Sequence, residues 1–171
     1  MSDDREVPLE TMWRGDYVTV VKRGRWEFVT RSNDVTAVVI LAEHGGKVVL
    51  VEQYRVPVGG RCIELPAGLV GDEDEDATVE ETAVKELEEE TGFTAERVEV
   101  LGQFHSSPGM VAESFTLVRA HGLRKVGEGG GTEHEEIEVH LVARDDIPKF
   151  IAGKRDEGVA IDTKLLLFLG Y

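Results

Sequence analysis

Residues 65–93 read LPAGLVGDEDEDATVEETAVKELEEETGF, and the rest of the chain is organised around them. The centre of this stretch, Lys85-Glu86-Leu87-Glu88-Glu89-Glu90-Thr91-Gly92-Phe93, is a run of helix formers that stops at a glycine suited to a left-handed C-cap. The helix is expected to begin near Ala77 or Thr78 and to carry Val79, Ala83 and Leu87 on one buried stripe. Glu86 and Glu90 are four apart and share a different face, with Glu89 on its flank. Like charges at this spacing repel, and the last turn already holds the negative end of the helix dipole. A cation is therefore expected among them. The competing reading is a solvated acidic face, relieved by Glu81 and Lys85 at i, i+4.

A chain of 171 residues fits one domain and is long enough to bury a core. Its formal charge of -15 argues against a nucleic-acid partner and against anionic lipid. A small phosphorylated ligand remains compatible, where divalent cations and a few local arginines overcome the field. Cys62 is the one cysteine, so no internal disulfide can form. It reads as a buried thiol in a reducing compartment, here the cytoplasm. The longest apolar run, 37–42, has six residues, far short of the roughly 18 that a membrane span needs. The polar, acidic N-terminus carries no secretory pattern.

Taken in order, residues 1–12 read as a mobile or edge segment. Strands are expected at 17–21 and 26–30, flanking Lys22-Arg23-Gly24-Arg25 as a hairpin. Two more, 37–42 and 47–53, lie across His44-Gly45-Gly46, and their near-continuous apolar character predicts a sheet covered on both faces. Further strands are read at 61–65, 98–106, 114–120 and 138–142. Asp146 is expected to cap a short helix, and Asp162 a final apolar helix through Leu169. Gly127–Gly131 reads as a flexible tract. A mixed sheet interleaved with two or three helices places the chain in the α/β or α+β class. Among the histidines, His105 borders the Ser-Pro-Gly loop, while His44, His121, His134 and His140 lack metal-ligand spacing.

The stretch 65–93 resembles the signature of the Nudix hydrolases, G-x5-E-x7-R-E-U-x-E-E-x-G-U, with U aliphatic or aromatic. Glu86, Leu87, Glu89, Glu90, Gly92 and Phe93 match it. Lys85 stands where the family has Arg, and Ala77 where it has the first Glu. The glycine is Gly71 by count and Gly68 by its Leu-Pro-Ala-Gly context. A three-residue insertion in the acidic loop 71–76 reconciles the two and offers Glu73 or Glu75 for the missing carboxylate. The resemblance implies an α/β/α sandwich with an additional N-terminal antiparallel strand layer. Residues 1–35 would form a dimerising hairpin extension and 36–171 the catalytic core.

The resemblance further implies a divalent metal, Mg2+ with Mn2+ able to substitute, held by Glu86, Glu89, Glu90 and the backbone carbonyl of Ala67. Lys85 would steady these carboxylates by pairing with Glu81 or Glu89. Segment 51–68, with Arg55 just before the signature, is similar to the branch acting on ADP-ribose and ADP-sugars, in which the matching arginine contacts the diphosphate. Pro108, sixteen residues after Gly92, sits at that branch's marker spacing, so Gly109 and Met110 are expected to face the ribose. Tyr17 and Trp26 match aromatics that sandwich adenine, often across a homodimer, and Arg31 matches a nearby arginine that reaches the phosphates. The glycine tract followed by Glu133 and Glu135 is similar to a loop that closes on substrate with a carboxylate base, Glu133 first. The expected activity is hydrolysis of ADP-ribose to AMP and ribose 5-phosphate. The alternatives are another nucleoside diphosphate sugar, such as ADP-glucose or GDP-mannose, or a module that senses ADP-ribose without cleaving it.

Overall fold

The two apolar runs on either side of Gly45-Gly46 pair as a hairpin, and the other elements are attached to it. The computed structural model describes residues 3–33, 35–72, 74–132 and 135–169. Its strands and helices run β1 (Glu10–Arg14), β2 (Val18–Arg23), β3 (Trp26–Arg31), β4 (Thr36–His44), β5 (Lys47–Arg55), β6 (Gly60–Glu64), β7 (Ala67–Val70), α1 (Val79–Thr91), β8 (Phe93–Thr94), β9 (Arg97–His105), β10 (Ser114–His121), β11 (Arg124–Lys125), β12 (Glu138–Ala143), α2 (Ile147–Asp156) and β13 (Ala160–Ile161). An eight-stranded sheet follows the path β13-β6-β5-β4-β10-β9, with β12 also on β5 and β7 also on β4. It is mixed: β10 runs parallel to β4 and β13 parallel to β6, while β4–β5, β5–β6, β5–β12, β4–β7 and β9–β10 are antiparallel.

Alternation along β4 fills both faces, as the continuous apolar pattern predicts. Val38, Ile40 and Ala42 pack with Ala83 and Leu87 of α1, whereas Val39 packs with Ile147 and Ile151 of α2. The chain is thus an α/β/α arrangement with two apolar layers. β4 and β5 are paired only at Glu43–Val48 and His44–Lys47. Beyond that turn they diverge, β4 taking β7 and β10 as neighbours and β5 taking β6 and β12. The wedge opened by this divergence is where the site lies.

Several local expectations change. Residues 10–12, read as part of a mobile or edge segment, are ordered with Trp13 and Arg14 as β1, the edge of a separate antiparallel sheet β1-β2-β3. Asp146 makes no side-chain cap, because a 3-10 turn, Arg144–Asp146, already leads the chain into α2 in helical conformation. Asp162 does cap, accepting from Lys164 N–H, but the element it opens is a 3-10 helix, Thr163–Phe168. Cys62 is buried, and burial pushes its thiol up to about 12, which suits an inert packing residue. Among the described residues no helix is long and apolar enough to cross a membrane.

Candidate active site

Helix α1 is fixed at both ends by local chemistry. Thr78 is the N-cap of a full capping box: Glu81 N–H donates to Thr78 Oγ1 at 3.2 Å and Thr78 N–H donates to Glu81 Oε2 at 3.0 Å. Glu81 is thereby engaged at the helix start, and Lys85 Nζ lies 3.9 Å from Glu89 Oε1. At the other end Gly92 takes the left-handed conformation, φ 69°, and its N–H donates to Glu88 O. With Ala83 and Leu87 buried against β4, the face carrying Glu86 and Glu90 is turned toward β7.

The packing against β7 is close. Ala67 N–H donates to Glu90 Oε2 at 3.1 Å, and Glu90 is 5% exposed. The Glu86 side chain lies over the Cα of Gly68, where any Cβ would collide with its carboxyl group. Gly71, by contrast, has nothing within 4 Å of an added Cβ. The glycine that the acidic helix requires is therefore Gly68.

These groups open into a cavity of about 990 Å³ lined by Ala67, Gly68, Glu86, Glu89, Glu90, Arg55, Arg31 and Glu135 among others. Nine carboxylate side chains and four cationic ones line it among the described residues. The four cations are all neutralised in place. Arg55 donates through Nε and Nη2 to the two oxygens of Glu64, at 2.7 and 2.8 Å. Arg31 pairs with Glu113, Lys85 with Glu89, and Lys164 with Asp162 at 2.7 Å. Burial raises the Glu90 carboxyl to about 8; the Ala67 N–H opposes this, and the nearby Glu86 and Glu135 carboxylates add to it. A buried carboxylate crowded by two others suits a hard divalent cation, which takes oxygen donors and one or two carboxylates. Glu86, Glu89 and Glu90 fit that role, and Ala67 borders the same position. The contact observed for Ala67 is through its N–H.

Other sequence-predicted residues are placed elsewhere. Tyr17, in the bend between β1 and β2, and Trp26, the first residue of β3, are 77% and 54% exposed and do not line the cavity. Gly109 and Met110 are also outside its lining; Met110 O instead accepts from Val29 N–H and ties this turn to β3. Glu73 and Glu133 lie outside the described residues. Glu75 is not in the lining, whereas Asp72 and Asp74 are. Glu135 does face the cavity, its Oε2 accepting from Thr132 N–H at 3.0 Å and Oγ1 at 3.1 Å.

The glycine tract is not a loose lid. Its backbone is hydrogen-bonded to the end of α1, with Gly130 N–H on Glu90 O and Gly131 N–H on Glu89 O. Composition suggests flexibility, but at Gly129 close approach is what requires glycine, since an added Cβ would collide with the backbone of Thr91 and Gly92. Gln53, Glu64, Glu113, Phe115, Thr132 and Lys164 also line the cavity and were not singled out from sequence. Strand register brings them in, and no motif marks them.

A second polar cluster lies across the sheet. Glu52 precedes Gln53 on β5, so pleating turns it to the opposite face, where Lys154 of α2 meets it at 2.8 Å. Glu52, Glu138 and His140 have ligand-type atoms within 4.8 Å of one another. Glu52 already accepts from Arg61 Nε at 2.6 Å and contacts His140 Nε2 at 2.9 Å. A metal there would have to displace two resident cations, so this donor set fits a structural charge cluster better than a metal centre.

Comparisons with known proteins agree with this geometry. Residues 30–162 match the family model described as the NUDIX domain. The chain is 35% identical over 146 residues to a methanol dehydrogenase activator from Bacillus methanolicus, covering 85% of this chain and 74% of that protein. It is 31% identical over 134 residues to an ADP-ribose pyrophosphatase from Bacillus subtilis, covering 78% and 70%. It is also 32% identical over 157 residues to a GDP-mannose pyrophosphatase from Cronobacter sakazakii, covering 87% and 78%. A crystal structure of an ADP compounds hydrolase aligns with a TM-score of 0.69 at 22% identity, over 85% of this chain and 80% of that one, which speaks to the fold. With the signature helix on the page, the family model spanning most of the sequence and relatives of this coverage, the chain belongs to the Nudix family.

Proposed function

We propose that the chain is a divalent-metal-dependent diphosphatase that hydrolyses ADP-ribose to AMP and ribose 5-phosphate. The observation carrying this reading is the single cavity in which the α1 carboxylates, the β7 edge at Ala67-Gly68 and Arg55 converge. An anionic diphosphate cannot enter so acidic a lining unless cations neutralise it. Glu86, Glu89 and Glu90 would hold Mg2+, or Mn2+ in its place. Such an ion supplies charge neutralisation on the phosphate oxygens.

Arg55 then binds the diphosphate. Glu64 uses two of its five N–H donors and fixes the guanidinium plane, leaving three for phosphate oxygens. Water attacks one phosphorus, a new P–O bond forms and the bridging P–O bond breaks. A carboxylate of the 132–136 loop takes the water proton, Glu133 in the first place and Glu135 or Glu89 otherwise. Tyr17 and Trp26 would hold the adenine at the adenosine end, and Arg31, in the cavity lining, would reach the phosphates. The two aromatics lie outside this chain's own cavity, and a homodimer in which the hairpin extension, residues 1–35, faces the neighbour's core would bring them to it. Gly109 and Met110 would border the ribose once that end is filled. The single buried thiol supports a reducing, cytoplasmic setting.

GDP-mannose is the second reading, favoured by the relative of that name. Chromatography of products after incubation with ADP-ribose, ADP-glucose and GDP-mannose, with and without Mg2+, decides between them. AMP and ribose 5-phosphate released only with metal, and fastest from ADP-ribose, is expected. Preferred cleavage of GDP-mannose would overturn the substrate, and binding without cleavage would make the protein a sensor.

A further inference from the structure

The last turn of an α-helix leaves carbonyl groups without partners inside the helix. At the end of α1 they are taken by one segment of chain. Gly131 N–H donates to Glu89 O at 3.0 Å, Gly130 N–H to Glu90 O at 2.9 Å, and Val126 and Gly127 N–H to Gly92 O at 2.8 and 3.1 Å. Lys125 Nζ donates to Thr91 O at 3.0 Å and to Glu128 O at 3.3 Å. We propose that residues 125–131 are a positioning strap for the α1 carboxylates, with Lys125 as its positioning side chain. The inference rests on the metal-dependent reading above and deepens it.

Two of the anchored carbonyls belong to Glu89 and Glu90, whose side chains border the cavity. Their backbone is therefore held partly from outside the helix. The approach is close enough to demand glycine: a Cβ on Gly92 would collide with Gly127 O, and one on Gly129 with the backbone of Thr91 and Gly92. Lys125 adds what the glycines cannot. Its ammonium stands at the negative end of the α1 dipole, 4.8 Å from the Phe93 ring centroid, and its backbone is paired with Phe93 between β8 and β11. The strap leads into Thr132, whose N–H and Oγ1 donate to Glu135 Oε2, and both residues line the cavity. One hydrogen-bonded connection thus sets the separation between the α1 carboxylates and Glu135. Groups that act together on a metal and a phosphate must be held to within a fraction of an ångström, so slack in this connection reaches the chemistry.

The test uses the full chain with Lys125→Met, which keeps the stem over Phe93 and removes the charge and donors, and Lys125→Arg as the conservative variant. Mn2+ binding without substrate is followed by EPR, amide exchange by mass spectrometry, and ADP-ribose hydrolysis by steady-state kinetics. Lys125→Met is expected to exchange faster in 88–92 and 126–131 together. It is also expected to lose about 10-fold or more in Mn2+ affinity or kcat with KM little changed, and Lys125→Arg to recover most of this. Faster exchange with Mn2+ affinity and kcat unchanged would make the strap merely structural and overturn the proposal. Unchanged exchange would overturn it as well, as would a wild type that binds no Mn2+. A wild type that binds Mn2+ but leaves ADP-ribose intact sinks the substrate reading alone, and the strap is then judged on affinity and exchange. Should Lys125→Met fail to fold, Lys125→Gln, which drops the charge but keeps a donor, is read by the same criteria.

Discussion

Glu90 is the residue on which local and tertiary effects meet. Helical spacing puts it beside Glu86, and packing against Ala67 then buries it. A buried carboxylate with its affinity for protons raised has been placed where it costs stability, which is a mark of function. Glu90→Gln keeps the shape and an oxygen for the Ala67 N–H while removing the charge. The expected outcome is a loss of turnover of about 100-fold or more, matching the several kcal/mol a catalytic metal supplies, with a metal-free melting temperature at or above that of the wild type. Near-wild-type turnover in steady-state assays would contradict the assignment. The acidic spacing was legible from sequence because the 3.6-residue period is local. The burial that distinguishes Glu90 from its neighbours was not, because it depends on a strand 23 residues away.

At the scale of elements, the pairing of α1 with β7 decides which glycine belongs to the signature. Counting along the sequence left Gly68 and Gly71 open, since an insertion shifts the count but not the packing. Gly68→Ala must displace Glu86, so turnover is expected to fall roughly 10–100-fold with a smaller effect on melting. Gly71→Ala meets no neighbour, but its φ of 85° strains any side chain. It is expected to lower melting and leave turnover near wild type. Parallel melts and kinetics on the two variants give the comparison, and equal losses of activity would remove Gly68 from its role. The same scale sets the role of the glycine tract. Glycine permits both looseness and close backbone contact, and only the presence of the α1 terminus opposite the tract selects the second.

For the whole molecule, the charge cluster on the α2 face ties β5, β6, β12 and α2 together. Burial alone would raise the Glu52 carboxyl, but hydrogen bonds from Lys154, Arg61 and His140 outweigh it and bring it from 4.5 down to about 2. A depressed carboxylate contributes stability that is fully present above its unfolded value and is lost as pH falls from about 4.5 through 2, on the order of 3 kcal/mol here. Urea unfolding between pH 7 and pH 2 should show that loss in the wild type and a shallower slope in Glu52→Gln; equal slopes would assign the acid sensitivity elsewhere. His140 and Glu52 lie 88 residues apart, so ligand-like spacing could not have been read from the chain. By itself the sequence determined the helix, its glycine C-cap, its acidic face and the two-sided apolar strands, because each follows from propensity and periodicity within a few residues. Only the tertiary structure decided that Arg55 and Glu64 enter the same wedge as those acids, that Tyr17 and Trp26 do not, and that a glycine tract closes the helix end. These depend on register and on the divergence of β4 from β5, and no local pattern encodes which distant residue lies opposite.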